Sequence, residues 1–306
     1  MDRFADIEAF TAVVDTGTFS AAGERLGIAK SVVSRRISQL EKRLGSRLLH
    51  RTTRRLSLTD TGRNFYQRAV QILADLEDAE QSVAEETFEL RGSIKLAAPL
   101  SFGLAHLSGA ITDFLNNHPA IGLNLDLNDR NINLVEEGFD MAVRIGELQD
   151  SSLVARRLGT ARNITCASRD YLERHGEPES PEQLHQHIGL QYSNISYRQQ
   201  WCYVAPTGKT LYAQPQIRIR ANNGEALAAA AIADLGITTG PSFILGRHIK
   251  DGSLVPILDA YQRPSVGIYA VYPPGRLLPR RVQALSDFLA ERFGDRPYWD
   301  DGLSLA

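Results

Sequence analysis

The sequence predicts an α/β protein in three parts: an N-terminal winged helix-turn-helix over residues 1–62, a long linker helix over 63–91, and a C-terminal two-lobed α/β domain over 92–306. Three observations predict it. Two short helical patterns and a longer third are separated by glycines and followed by a brief alternating run. An apolar repeat of 3.5 residues comes next. Beyond Gly92, strand and helix patterns alternate, and the chain leaves one lobe and returns to it. The first lobe is expected from about 92–163 with 266–306, the second from about 164–265.

In the head, Phe4, Ile7, Phe10, Val13 and Val14 recur at helical spacing, and Gly17 ends that helix. Ser20 is a candidate N-cap for a second helix over 21–26, with Gly27 in the turn. The third helix spans 30–44 and stops at Gly45. Its Val33, Ile37, Leu40 and Leu44 form one stripe for burial. The opposite face carries Ser31, Arg35, Ser38 and Lys42, flanked by Ser34 and Gln39. A polar, short-chained, basic face suits a helix that enters a major groove with its N-terminal residues foremost. Leu56 and Leu58 then alternate about Ser57, which reads as a small wing.

The candidate DNA contacts follow. Lys30, Ser31, Ser34, Arg35 and Ser38 lie on the third helix; Arg51, Thr53 and Arg54 lie around the wing. The wing residues suit phosphate oxygens, and Ser31, Ser34 and Arg35 suit base edges. For any single exposed arginine the alternative is a solvated surface charge. The coincidence of basic face and wing favours nucleic acid.

Charge agrees once it is counted by segment. The whole chain of 306 residues has a net charge of −2. Residues 1–64 carry 12 basic and 7 acidic side chains, a net of +5, and the rest carries 22 against 29, a net of −7. A small basic head on an acidic body fits a polyanion-binding module with a second function. Apolar residues at 43% and charged residues at 23% describe an ordinary globular chain able to bury a core. The longest run without Asp, Glu, Lys or Arg is residues 96–112, too short and too polar for a membrane helix. Asp2, Arg3, Asp6 and Glu8 stand where a secretory signal needs an apolar core, and two cysteines make no disulfide scaffold. A cytoplasmic location with no membrane partner is expected.

Thr59 is a candidate cap for the linker helix. Phe65, Ala69, Ile72, Leu76, Ala79, Val83 and Leu90 then follow the heptad spacing, with Glu86 breaking one expected position. Such a stripe packs lengthwise on a partner helix. Nothing else in the chain is long enough, so a homodimer seam is expected; the alternative is a helix lying on its own domain.

In the larger domain, 94–98, 121–127 and 139–145 read as strands around helices at 102–114 and 132–137, which predicts a parallel sheet with covered faces. Residues 151–164 cross to a second lobe with strands at 190–193, 216–220 and 236–239, a hairpin around 206–209 and a helix at 224–233. Residues 266–272 return as a strand and 279–293 close the fold as a helix. The cleft lies at the carboxyl ends of the strands. Leu100 and Ser101 follow a strand and open a helix, where free N–H groups favour a carboxylate, and Phe102 follows them. Arg144 ends another strand and is a candidate bidentate partner. Its alternative is an ion pair with Asp140 or Glu147. In the second lobe Ser193 and Asn194 end a strand, Asn223 begins a helix, and Thr239 and Gly240 end a strand.

These residues carry a resemblance. Phe19-Ser20-Ala21-Ala22, Ser34-Arg35-Arg36-Ile37, Leu40-Glu41-Lys42-Arg43-Leu44-Gly45 and Leu58-Thr59-Asp60-Thr61-Gly62 resemble the winged helix-turn-helix of LysR-type transcriptional regulators. Ala98-Pro99-Leu100-Ser101-Phe102-Gly103, Phe139-Asp140-Met141-Ala142-Val143-Arg144-Ile145-Gly146 and Asn223-Gly224-Glu225-Ala226-Leu227 resemble the effector-binding domain of that family, whose architecture is periplasmic-binding-protein-like. The resemblance implies sequence-specific binding of double-stranded promoter or operator DNA, modulated by a small-molecule effector. It implies a homodimer, commonly assembled into a tetramer, and RNA polymerase as a further partner. It also implies that Ser193, Asn223, Thr239 and Gly240 line the effector pocket with the first-lobe residues. Two departures stand out. Ala29 occupies a position where the family often places a capping Thr or Ser, which puts Ser31 in competition between capping and base reading. Asp234 occupies a position where many relatives have Gly, and the turn there is expected to differ.

Other signals lead nowhere. Ala205-Pro206-Thr207-Gly208-Lys209-Thr210 has Tyr203 where a phosphate-binding loop needs its first glycine. His185 and His187 lack a carboxylate at ligand spacing and read as solvated surface residues. Cys166 and Cys202 read as strand core. No nucleophile and base come together, so no enzyme and no cofactor are expected. The alternative is a solute-binding or enzymatic two-lobed domain with an accessory nucleic-acid-binding head. An organic acid is the expected effector.

Overall fold

The computed structural model describes residues 2–51, 56–83, 89–130, 132–146, 153–194, 200–274, 278–294 and 296–303. The chain divides into two compact units, Met1–Gly92 and Ser93–Ala306.

The first unit contains α1 (Arg3–Thr16), α2 (Phe19–Leu26), α3 (Lys30–Leu44), β1 (Leu49–Arg51), β2 (Leu56–Leu58) and α4 (Asp60–Val83). Asp2 caps α1 by accepting from the N–H groups of Phe4 and Ala5. Thr18, not Ser20, caps α2: Gly17 turns through φ 72° and delivers Thr18 extended, so its hydroxyl accepts from Ala21 N–H at 3.1 Å. The helix therefore starts earlier than expected, with Ser20 in its first turn. Ala29 leaves α3 without a side-chain cap, and Ser31 does not supply one. Phe10, Val13, Ala22, Val33, Ile37, Leu40, Leu48 and Leu49 make one buried core. Phe4 and Leu44, expected in the stripes, are 46% and 41% exposed, because each sits at a helix end beyond this small core.

β1 and β2 pair antiparallel, with Leu49 opposite Leu58, and form the wing. Glu41 fixes its approach by accepting from the N–H groups of Leu48 at 2.9 Å and Leu49 at 3.2 Å. Thr59 caps α4, accepting from Gly62 N–H at 2.9 Å. Gly62 is required there: a Cβ would stand 2.0 Å from the Leu48 carbonyl oxygen. Phe65 packs on Phe10 at 5.6 Å between centroids, and Tyr66 hydrogen-bonds Asp15. Farther along, Ile72 is 43% exposed, so the apolar stripe outruns its own domain. The described helix ends at Val83. Residues 84–88 lie outside the described residues, and Glu89, Leu90 and Arg91 are not helical, so Leu90 does not continue the repeat.

β3 (Gly92–Ala98) leads into the second unit and is followed by α5 (Leu100–Phe102), a π-turn (Gly103–Leu107) and α6 (Ser108–Asn117). β4 (Ile121–Leu127), α7 (Leu134–Glu137), β5 (Met141–Ile145) and β6 (Val154–Ala161) follow. The chain then enters a second lobe with β7 (Asn163–Ala167), α8 (Arg169–His175), a 3₁₀ turn (Pro181–Gln186), β8 (Ile188–Tyr192), β9 (Trp201–Val204), β10 (Thr210–Ala213), β11 (Gln216–Ala221), α9 (Gly224–Ile232), β12 (Ile237–Pro241), α10 (Ser242–Lys250) and β13 (Val255–Pro256). It returns with β14 (Val266–Tyr272), α11 (Arg280–Phe293) and a 3₁₀ turn (Tyr298–Asp300).

The first lobe's sheet has the order β4-β3-β5-β14-β6, and the second lobe's β11-β8-β12-β7-β13. β3 and β5 run parallel, as do β11, β8 and β12, so their carboxyl ends share one edge in each lobe. The sheets are mixed rather than parallel. β14 runs antiparallel to β5 and β6, and β7 antiparallel to β12, because β6, β7 and β14 carry the two crossings between lobes. Asp234 keeps the left-handed backbone expected of Gly, at φ 60°. Ser168 donates to its carboxylate at 2.6 Å and Arg174 pairs with it at 2.9 Å, so the turn survives the departure.

Candidate functional site

On the head, helix spacing sorts the charged residues of α3 by face. Lys30, Ser31, Arg35 and Ser38 are exposed along one face, and Ser34 is half-buried beside them. The neighbouring basic residues are committed to the fold. Arg36 donates to the Ala5 carbonyl at 3.4 Å, and Arg43 pairs at 3.2 Å with Asp6, whose side chain is 5% exposed. An exposed polar and basic face can turn its donors to phosphates and base edges. Arg51 ends β1. Thr53 and Arg54 lie outside the described residues.

In the second unit, the edge shared by the strand ends brings Leu100, Ser101 and Asn223 together. Leu100 and Ser101 begin α5, and Asn223 caps α9 by accepting from Glu225 and Ala226 N–H. The Asn223 amide donates to Ser101 Oγ at 3.2 Å across the lobes. A residue that sequence reasoning missed sits between them. Asp129, in the turn after β4, accepts from Leu100 N–H at 3.0 Å with one carboxylate oxygen and from Asn223 Nδ2 at 3.3 Å with the other. Asn194 donates to the Asp129 carbonyl at 2.8 Å. Tyr192 stands beside this group; burial pushes its hydroxyl pKa up, the Asp129 charge adds to that, and the Asn194 bond works against it. The N–H expected to hold a ligand carboxylate thus holds one of the protein's own.

The other expected cleft residues have partners of their own. Ser193 is exposed after β8, its N–H bonded to the Ala221 carbonyl at 2.8 Å. Thr239 and Gly240 lie within β12 rather than after it, opposite Thr165 and Ile164. Arg144 donates to the Ile132 carbonyl at 3.0 Å. Asp140 accepts from Lys95 N–H at 2.8 Å on the neighbouring strand.

Phe102 does not face the cleft. It is fully buried in an aromatic cluster with Phe243, Phe293 and Trp299, at 5.3, 5.3 and 5.7 Å between centroids. The π-turn aims His106 into the same cluster, where it meets Tyr298 Oη at 2.8 Å and the Phe243 carbonyl at 3.2 Å. His187, expected on the surface, is 6% exposed against Tyr171. Cys166 is buried in β7, which pushes its thiol pKa up, and Cys202 is half-buried in β9. The 205–209 segment is a hairpin turn closed by Gly208 N–H on the Ala205 carbonyl at 2.8 Å. Among the described residues no helix is long and apolar enough to cross a membrane, and no group of His, Cys, Asp and Glu has metal-binding geometry.

Comparison with known proteins agrees with both units. Residues 4–63 match the model of the bacterial regulatory helix-turn-helix protein, lysR family, and residues 89–294 match the LysR substrate binding domain. An uncharacterized HTH-type transcriptional regulator of Haemophilus influenzae is 38% identical over 286 residues, covering 94% of this chain and 99% of the relative. The structure of CrgA, a LysR-type transcriptional regulator from Neisseria meningitidis, is similar with a TM-score of 0.60 and 32% identity, over 95% of this chain and 99% of that one. Full-length AphB, a Vibrio cholerae virulence activator, has a TM-score of 0.58 and 29% identity over 95% and 99%. Basic reading helix, wing, linker helix and two-lobed receptor therefore belong to one known design: this chain is a member of the LysR family of DNA-binding transcriptional regulators.

Proposed function

We propose that this regulator reads a specific operator and that an organic acid bound between its lobes modulates the reading. The observation that carries the effector half is Asp129: a carboxylate already satisfies Leu100 N–H and the Asn223 amide, so that end of the cleft has the donors a ligand carboxylate needs. Ser193, Thr239 and Gly240 lie at or near the strand ends of the second lobe, around the same edge. The exposed face of α3, with Lys30, Ser31, Ser34, Arg35 and Ser38, supports the DNA half; Arg51, Thr53 and Arg54 add phosphate contacts from the wing.

The uncovered stripe of α4 at Ile72 supports a homodimer through that helix, and pairs of dimers make the tetramer. A dimer places two recognition helices in successive major grooves of an interrupted palindrome. An effector that prefers one closure of the cleft shifts the population toward it and changes the spacing of the heads. The domain limits 1–62, 63–91 and 92–306 follow this division of labour. The chain works in the cytoplasm beside promoter-bound RNA polymerase, and binds its small molecule without transforming it.

Two measurements test the proposal. Selection of bound genomic fragments, followed by competition against random duplex, reads DNA preference; equal affinity for both refutes the operator half. Calorimetry with organic acids and their amides reads the effector half. Tight binding confined to the uncharged or cationic compounds refutes the acid.

A further inference from the structure

We propose that Asp129 is a latch between the lobes: it holds the cleft at the closure seen here, and it is the group that an entering carboxylate displaces. The second clause rests on the effector reading above; the first does not.

The local structure aims Asp129 across the cleft. On one side of it Asn128 N–H is tied to the Ala98 carbonyl at 3.0 Å, and on the other Arg130 N–H is tied to Asn128 Oδ1 at 3.1 Å. The turn is thus pinned to the end of β3 on the first lobe. A residue serving only as a cap for the helix that begins at Leu100 needs one oxygen for one N–H. Asp129 does that with Oδ1 and gives everything else to the second lobe: Oδ2 to the Asn223 amide and its carbonyl to the Asn194 amide. Asn223 is a complete donor–acceptor relay. Its Oδ1 caps α9 and its Nδ2 reaches both Asp129 and Ser101. The carboxylate therefore lies close to the positive ends of two helices from different lobes, which neither lobe provides alone.

The contact is polar and partly exposed, so water or a ligand can replace it without breaking a core. A carboxylate satisfies Leu100 N–H and Asn223 Nδ2 as Asp129 does, with two acceptors and a negative charge. A neutral amide offers one acceptor and sets its own donors against the Asn223 amide. Asp129 thereby selects acids, by being what they must outcompete.

A swap of chemistry tests the latch without any ligand. Asn223→Asp keeps the α9 cap, since Asp caps as well as Asn, but sets a second carboxylate against Asp129. Asp129→Asn combined with Asn223→Asp restores one donor facing one acceptor. Hydrogen–deuterium exchange on the full chain reads the result in peptides spanning 98–103 and 222–227. Exchange in Asn223→Asp is expected to rise about tenfold there, and in the double variant to return to within about threefold of wild type. Urea midpoints run alongside separate cleft opening from general unfolding. Wild-type exchange in Asn223→Asp, or no recovery in the double variant, overturns the latch.

Sodium benzoate, with benzamide as control, probes displacement by calorimetry. Asp129→Asn is expected to bind benzoate about tenfold more tightly than wild type, because its internal competitor has lost its charge. Equal binding, or none by either protein, overturns displacement and leaves the latch to its own readout. Failure of the broader acid panel on wild type, with the swap result intact, marks the effector reading as the part at fault.

Discussion

Three arginines of α3 look interchangeable in composition and are separated by their partners, which makes substitution at Arg35 a sharp test of the reading face. Arg35 is exposed, so its removal leaves no buried group unpaired, and its effect on folding is expected within about 0.5 kcal/mol. On the preferred operator, loss of a bidentate contact to a guanine costs about 1–3 kcal/mol per half-site, roughly 5- to 150-fold. On random duplex, only one phosphate-scale charge is lost. Arg36→Ala breaks the long bond to the Ala5 carbonyl and is expected to cost about 0.5–1 kcal/mol of stability with little change in site preference. Arg43→Ala strands the Asp6 carboxylate, which is nearly inaccessible. Breaking a fully buried pair costs about 3–5 kcal/mol; Arg43 is 29% exposed, so about 2–3 is expected. Fluorescence anisotropy on operator and random duplexes over a salt series, with urea unfolding of the same samples, reads both quantities. If Arg35→Ala weakens operator and random duplex by one common factor, Arg35 touches backbone and not bases. If it changes neither, the reading face has been misplaced.

The remaining predictions concern stability. Glu41→Ala leaves the N–H groups of buried Leu48 and Leu49 without their acceptor and is expected to destabilise the head by about 2–4 kcal/mol in urea unfolding. Gly62→Ala drives a Cβ against the Leu48 carbonyl and is expected to cost about 3 kcal/mol or to displace the wing, seen as lost DNA affinity at unchanged α3 sequence. Burial holds the His106 pKa below its ordinary value, with Arg247 adding to that and the bond to the Phe243 carbonyl opposing it. Burial, aided by His175 and His185, does the same for His187. The unfolded chain therefore takes up protons first as pH falls through about 6.5. The second unit should lose stability from pH 7.5 to pH 5.5, as read by thermal melting, and a double His106→Phe, His187→Phe variant should flatten that slope; an unchanged slope refutes the assignment.

Much of this fold is legible because local chemistry and tertiary use coincide. α3 begins and ends where the sequence predicts, since Gly45 stops it and one stripe is buried along it. β4 is legible over Ile121–Leu127 because its residues alternate. α10 is not: Ser242–Lys250 contains Gly246, unfavourable in a helix, and the reason for it is tertiary. A Cβ there would come within 3.0 Å of Leu303, some 57 residues away in the chain. Asp129 escapes for the same kind of reason. Between Asn128 and Arg130 it reads as turn chemistry, and its partners Leu100 and Asn223 are 29 and 94 residues distant. Arg144 shows the limit from the other side. Its guanidinium donates to the Ile132 carbonyl, twelve residues away, a partner that no sequence pattern advertises.

Among the described residues, two clusters of contacts besides the crossing strands join the lobes, and their chemistry differs. One is the polar joint at Asp129, made with exposed Asn194 and half-buried Asn223. The other is aromatic. Phe102 and Phe293 of the first lobe enclose Trp299 against Phe243 of the second, Lys250 donates to the Trp299 carbonyl at 3.3 Å, and Arg162 reaches Asp300 at 3.1 Å. Exchanging a partly exposed hydrogen bond for water costs about 0.5–1.5 kcal/mol, whereas exposing one Phe-sized side chain costs about 1.5–3. Three such bonds cross at the polar joint, about 1.5–4.5 kcal/mol together. The aromatic joint buries Phe102, Phe243 and Trp299, at about 1.5–3 kcal/mol each, and is the dearer of the two to open. Opening is therefore expected to start at the polar joint and to turn about the aromatic one. Residues 297–303, which complete that pivot, lie beyond the segment matched by the substrate-binding family model, which ends at residue 294. A ligand that enters at the polar joint therefore meets hydrogen bonds that water can replace, away from the aromatic packing.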